Sequence, residues 1–353
     1  GLWVLVALRT AQGVAVAGVF PNGWALLRAA VPPDRLARSF ALVGMVITTG
    51  VALGPPLAGL AVEIADWRAI FAVNLAVAGP ALVAAVRLPV TTRPVHAHRF
   101  DFPGALAWSA LLVAVAALLN RSTGPSGLLI LTLGLVPLGV AGYLFVRREL
   151  RHPDPVVQPR FFADGAFTAA NLCVGFSNLA WYLMFIVVPL ALDDRPGVSS
   201  FVSGLVLAVA AAPIIVLGPL GGRLSDTRGR RMPAAAGTAA LVGGLVLLTV
   251  VGTGASVPVL LVAMVVTGAG LALSSASMQT VALEAVPEAQ SGAASGVYST
   301  SRYLGSIIGS SLLAAAGDPT GRGMLAVMLA AAVVAAASTT RFPAMRQPVA
   351  RGA

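Results

Sequence analysis

The sequence predicts an all-α membrane protein of eleven spanning helices, built as two related blocks. Three observations predict it. Apolar residues make up 58% of the 353 and charged ones only 10%, with a mean hydropathy of +0.89, far more apolar surface than a soluble core can bury. The chain also partly repeats itself. A shift of 255 positions lays Ala30-Val31-Pro32 on Ala285-Val286-Pro287, Gly13 on Gly268, Gly50 on Gly305 and Gly54 on Gly309. A shift of 254 lays Arg68 on Arg322 and Arg87-Leu88-Pro89 on Arg341-Phe342-Pro343. Finally, the 23 basic residues are all arginine and crowd into alternate loops. Weak symmetry between hydrophobic blocks marks transporters built from repeats.

A spanning helix takes about 20 predominantly apolar residues. The first such segment, 2–27, carries Arg9 and Gln12; the second, 40–62, closes on Gly50 through Gly59; the third, 67–87, opens at Trp67-Arg68. Asp101-Phe102-Pro103-Gly104 introduces the fourth and fifth, 103–120 and 127–146. The sixth (166–191) and seventh (200–220) lead to a polar loop over 222–231, and the eighth and ninth cover 233–252 and 257–280. Arg302-Tyr303-Leu304-Gly305 lies in the tenth, 292–316, and the eleventh is 323–340. Glycine and proline are common in membrane helices. A β-barrel needs strands of alternating polarity, which unbroken runs such as Leu111 to Leu119 exclude.

Arginines set the orientation. One set of alternate loops holds 17 of them and the other only Arg68, Arg121, Arg195 and Arg322, with Arg9 and Arg302 inside spans. The first set, which includes the C-terminus, is read as cytoplasmic. One loop of that set, around Glu284 and Glu288, carries no arginine.

Several functions are argued against. Nucleic-acid binding needs basic clusters on a soluble face with interleaved aromatics, whereas here the arginines lie in short loops between apolar runs. A lone Cys173 inside an apolar run allows no internal disulfide. His96, His98 and His152 all fall in loops, so no Ser–His pair forms within the membrane. The pair Asp193-Asp194 is too sparse for a metal–diphosphate site, and Gly268-Ala269-Gly270 lacks the strand of a dinucleotide loop. No enzyme, cofactor or metal site is expected.

Four groups of residues carry the functional reading. Arg9 and Gln12 sit inside a span, where an arginine marks function by default or, near the outer end, snorkels to the headgroups. Gly50, Gly54, Pro55, Pro56 and Gly59 form a second group. Its paired glycines let a neighbouring helix approach, and its double proline removes backbone donors and favours a bend. Third, Gly222-Arg223-Leu224-Ser225-Asp226-Thr227-Arg228-Gly229-Arg230-Arg231 reads as a tight cytoplasmic turn. Asp226 can cap a helix or pair with arginine, and Gly229 can take φ > 0; an ordinary arginine-rich loop is the plainer account. Last, Asn171, Asn178, Tyr182 and Phe185 recur on one helical face. The stripe suits a partly polar, lipophilic substrate or simple packing between helices. Ser274, Ser275, Ser277 and Gln279 are weaker candidates.

Together these residues resemble the major facilitator superfamily, specifically its fourteen-span drug:proton antiporter branch. Arg9-Thr10-Ala11-Gln12-Gly13 is similar to the fourth-span motif and 50–59 to the fifth-span antiporter motif. Residues 222–231 resemble the second copy of the loop motif. Ala58 and Ala15 stand where those patterns usually have glycine. The resemblance implies two pseudo-symmetric helical bundles with two inserted central helices, rocking about a cavity. It also implies export of a drug or other small lipophilic or cationic substrate, with the proton gradient as driving force; the alternatives are a carrier for a sugar, peptide or metabolite, or a membrane remnant that transports nothing. Arg9, Gln12 and Glu63 would then serve the cavity or proton coupling, and Gly222, Asp226, Arg228, Gly229, Arg230 and Arg231 a cytoplasmic gate. The expected setting is a bacterial inner membrane, with the lipid bilayer, substrate and protons as partners, no nucleic acid, and a monomeric protein.

The repeat pairs spans one to three with nine to eleven and leaves four and five between the halves. Spans six to eight then require partners ahead of Gly1. The expected organisation is therefore 1–99 as the last three spans of a first bundle and 100–160 as the inserted pair. A six-span bundle over 161–344 and a tail over 345–353 complete it. All thirteen acidic residues fall in loops or at span ends, so the coupling carboxylate is expected in the preceding segment.

Overall fold

The computed structural model describes residues 2–30, 36–87, 101–121, 127–153, 155–193, 195–196, 198–287 and 290–344. The expectations that rest on Asp34, Arg35, Arg93, His96, Arg99, His98, Asp154, Asp194, Glu288 and the tail 345–353 lie outside those residues. Among the described residues there are eleven α-helices and no strand. They are α1 (Leu2–Ala30), α2 (Leu36–Ile64), α3 (Ala69–Arg87), α4 (Phe102–Arg121), α5 (Gly127–Glu149), α6 (Gly165–Asp193), α7 (Ser200–Arg228), α8 (Arg231–Val251), α9 (Val257–Glu284), α10 (Ser291–Ala315) and α11 (Arg322–Ser338). Seven of them, α3, α4, α6, α7, α8, α9 and α11, are long and apolar enough to cross a membrane.

The repeat maps α1 and α2 onto α9 and α10: Gly13 and Gly50 lie on the first two, and Gly268 and Gly305, 255 positions later, on the second two. Helices α3 and α11, starting at 69 and 322, stay within two residues of that register.

The chain divides into two compact units, Gly1–Val51 and Ala52–Ala353. In the first, α1 is exposed over residues 3–16, including Trp3, Val4 and Leu8. In the second, α6 is the hub and packs against α9, α10 and α11, while α9 packs against α7 and α8. The inserted pair α4 and α5 pack on each other, and α4 also reaches α10.

Local chemistry sets where these helices start. Asp164 accepts the amides of Ala166 (2.8 Å) and Phe167 (2.9 Å) at the head of α6. Ser199 accepts Val202 N–H (3.3 Å) at the head of α7, and Asp101 accepts Gly104 N–H (2.9 Å) at the head of α4. Each satisfies an amide that the first helical turn leaves unpaired.

The core has two centres. One gathers Leu183, Met184, Leu192, Leu241, Leu260, Met264 and Met328; the other gathers Phe167, Cys173, Met278, Ala282 and Tyr298. Between α8 and α9 the backbones nearly touch: a Cβ on Gly237 would lie 2.5 Å from the Gly270 carbonyl oxygen. Lipid tails are as apolar as leucine, so such close small-residue contact, rather than a hydrophobic drive, holds membrane helices together.

One expectation is corrected. The segment 222–231 is not a tight turn over its length: α7 runs on through Asp226 to Arg228, and the reversal is confined to Gly229 and Arg230. Nothing between Pro219 and Gly229 breaks a helix, and Thr227 returns its hydroxyl to the Arg223 carbonyl (2.9 Å). Gly229, at φ 84°, ends it in the region that favours glycine. Helix α2 likewise runs unbroken through Pro55-Pro56.

Candidate functional site

The most developed polar cluster joins the end of α7, the start of α8 and the end of α9. At its centre is Arg230, only 3% exposed. Its guanidinium forks onto Glu284, donating from Nη2 to Oε1 (2.8 Å) and from Nε to Oε2 (3.2 Å). Nη1 donates to Asp226 Oδ1 (2.7 Å) and to the buried Ser225 Oγ (3.1 Å). The bonds to Glu284 first, then those to Asp226, raise the Arg230 pKa against the effect of burial. The planar fork suits this task, since guanidinium donors match a carboxylate bidentately.

This cluster explains the arginine-free loop. Glu284 ends α9, and its cation is supplied by the α7–α8 turn, 54 positions earlier. Of the residues read as a gate, Asp226 and Arg230 meet, while Arg228 and Arg231 are exposed. Ser225 and Glu284 complete the cluster, and the missing arginine around Glu284 was the signal that could have found it.

At the opposite end of α7, Glu63 near the end of α2 accepts the backbone N–H of Phe201 (2.9 Å). A carboxylate there faces the positive end of the α7 dipole. Arg9 donates from Nη1 to Gln12 Oε1 (3.0 Å), one turn apart on α1, and both are exposed.

The glycine pairs have different fates. Gly50 and Gly54 on α2 are exposed, and a Cβ on either would meet nothing within 4 Å, whereas Gly59 is buried. Their repeat counterparts Gly305 and Gly309 on α10 are buried against α6. There, a Cβ on Gly309 would lie 3.4 Å from Leu183 Cγ, and Gly305 faces the Gly175 carbonyl.

The α6 stripe is graded along its length. Asn171 is 4% exposed; its amide donates to the Phe167 carbonyl (2.8 Å) and its oxygen accepts Ser301 Oγ of α10 (2.9 Å). Asn178 is half-buried and donates to the Val174 carbonyl (3.1 Å). Tyr182 is exposed, and Phe185 packs beside Trp181 with ring centres 5.7 Å apart. Of the serines on α9, Ser274 is buried and bonded to the Gly270 carbonyl (2.8 Å), Ser275 donates to the Ala272 carbonyl (3.2 Å), and Ser277 is buried; Gln279 is exposed.

A second charged network, not foreseen as a unit, ties the inserted pair. Arg148 near the end of α5 donates to both Asp101 oxygens (2.5 and 2.7 Å) and to Glu149 Oε1 (2.5 Å). Glu149, itself buried, accepts Val157 N–H (3.1 Å) from the segment leading to α6. The Arg148 guanidinium, with help from the Gly104 amide and against burial, holds Asp101 down to about 2.

Known proteins match this chain throughout. The family model of the Major Facilitator Superfamily fits residues 1–310, and fits again over 170–350. The chain is 30% identical over 317 residues to the uncharacterized MFS-type transporter YvkA of Bacillus subtilis (strain 168), covering 88% of this chain and 70% of that one. It is 33% identical over 317 residues to the multidrug resistance protein Stp of Mycobacterium tuberculosis, covering 88% of this chain. It spans 58% of the Stp length. Among solved structures, a POT family transporter in complex with 5-aminolevulinic acid superposes with a TM-score of 0.60 at 17% identity, over 91% of this chain and 71% of that one. A family model matching nearly the whole chain, on eleven helices with a repeat register, leaves one assignment: the chain belongs to the major facilitator superfamily of membrane transporters.

Proposed function

We propose that this transporter exports drugs or other small lipophilic or cationic molecules by alternating access, driven by proton entry, and belongs to the fourteen-span antiporter branch. The observation that carries the reading is the arrangement of polar contacts at the two ends of α7. Arg230 fastens the inner end to α9 through Glu284, and Glu63 of α2 meets the outer end. Contacts confined to the ends suit a carrier that opens one side at a time. The likeness to Stp, a multidrug resistance protein by name, supports the substrate class.

In this reading 1–99 belongs to the first bundle, 100–160 is the inserted pair and 161–344 is the second bundle. Arg9, Gln12 and Glu63 serve the cavity and proton coupling. Asn178, Tyr182 and Phe185 face substrate, with Asn171 orienting α6 against α10. Gly50, Gly54, Pro55, Pro56 and Gly59 make up the antiporter motif, with Gly59 its buried member. The protein is a monomer in a bacterial inner membrane, its arginine-rich loops and C-terminus cytoplasmic, and it uses no cofactor.

The test is accumulation of ethidium in efflux-deficient bacterial cells producing the protein. Lower accumulation that returns to the control level when an ionophore collapses the proton gradient supports the reading. Equal accumulation with and without the protein, at confirmed membrane levels, overturns it.

A further inference from the structure

We propose that the exposed flank of α5 is a binding site for an anionic phospholipid of the leaflet that meets the arginine-rich loops. Leu129, Leu133, Val136, Val140 and Leu144 recur every three or four residues and therefore share one helical face. All five are exposed. The stripe runs about 22 Å at roughly 1.5 Å per residue. The next two positions on the same line are Arg147 and Arg151.

The chemistry at the end of the stripe is selective. Asp101 and Glu149 are both engaged by Arg148. Among the described residues, no acid pairs with Arg147 or Arg151. Arg147 lies in the last turn of α5 and Arg151 just past its end, and Leu144, Arg147, Arg148, Arg151, His152 and Pro153 line a cleft of about 440 Å³ there. A phosphodiester accepts from guanidinium donors in the manner of a carboxylate. The acyl chain of the same molecule then lies along the apolar stripe. A free phosphate would use the cleft but not the stripe, and the continuity of the two favours a lipid. This site stands independently of the transport reading, and its test does not measure flux.

Protein purified in detergent is titrated with phosphatidylglycerol and with phosphatidylcholine of identical chains, and bound lipid is counted by native mass spectrometry. Phosphatidylglycerol is expected to bind and phosphatidylcholine to bind far more weakly. Two arginines near an anionic headgroup are together worth about 30-fold in affinity, so the Arg147→Gln/Arg151→Gln variant should lose about that much. The Arg147→Lys/Arg151→Lys variant keeps the charge and should retain most of the binding, and Val140→Ser/Leu144→Ser should weaken it by removing the chain contact. Equal binding of the two lipids, or wild-type binding by the glutamine variant, overturns the proposal. Displacement of the lipid by millimolar inorganic phosphate also overturns it, pointing to a free-anion site instead. If the glutamine variant does not fold, the comparison of lipids and the phosphate competition decide the question on the wild-type protein.

Discussion

Replacing Glu284 by Gln isolates what its charge contributes to the α7–α8–α9 cluster. Gln keeps one acceptor oxygen but turns the other position into an N–H donor, and the carboxylate left to Arg230 in the cluster is Asp226, whose side chain is 75% exposed. Hydrogen bonds to charged groups contribute about 1.5–3 kcal/mol against about 0.5–1.5 kcal/mol for neutral ones. Losing one of the two bonds from Arg230 to Glu284 and weakening the other therefore costs about 2 kcal/mol. The Glu284 side chain is 28% exposed, so the larger penalty of a fully buried orphan charge does not apply. A loss of that size lowers the melting temperature by on the order of 5 °C. The Asp226→Asn variant alters one bond to an exposed group and should cost under about 1 kcal/mol. The assay is thermal unfolding of wild type, Glu284→Gln and Asp226→Asn in one detergent and at one pH. An Asp226→Asn loss equal to or greater than that of Glu284→Gln would refute the account, because it would place the weight of the cluster on its exposed member.

Three further outcomes are expected. Asp226→Asn should slow ethidium efflux while leaving the amount of protein in the membrane unchanged; wild-type flux would remove Asp226 from the gate. Gly237→Ala places a methyl group 2.5 Å from the Gly270 carbonyl oxygen and should cost about 1–3 kcal/mol by overpacking, whereas Gly243→Ala on the same helix meets nothing within 4 Å and should leave the melting point unchanged. Equal effects of the two alanines would contradict the close approach of α8 to α9. Asp101 titrates near 2 in the folded protein because Arg148 stabilises its charge, against about 4 when unfolded. Its contribution is therefore complete above about pH 4 and disappears as pH falls through 2. The melting gap between wild type and Asp101→Asn should be constant from pH 7 to pH 5 and narrow below pH 4. A gap that widens on acidification has the wrong sign for this ion pair.

Much of the architecture was legible because it depends on local composition. The presence and order of α9, α10 and α11 follow from the repeat as directly as from hydropathy, and Gly229 announced its positive φ. The end of α7 was misplaced because polarity was read as a loop. Serine, aspartate and threonine end a membrane run in hydropathy, but they do not end a helix. The site was less legible. Arg230 and Glu284 are 54 positions apart and Asn171 and Ser301 are 130 apart, and no periodicity within one helix connects such pairs. The α6 stripe shows the same limit: spacing places Asn171 and Tyr182 on one face, but only the packing of α10 decides that the first is sealed and the second exposed.

The Asn171–Ser301 bond also has a history during synthesis. At roughly 5–20 residues per second, Ser301 leaves the ribosome about 7–26 s after Asn171. Over that interval α6 lies in the bilayer with its amide oxygen waiting for a helix that does not yet exist. Its Nδ2 is already bonded to the Phe167 carbonyl one turn back (2.8 Å), so only the acceptor side is left waiting. The same side chain thus lets α6 enter the membrane alone at small cost and keeps one specific attachment open until α10 arrives.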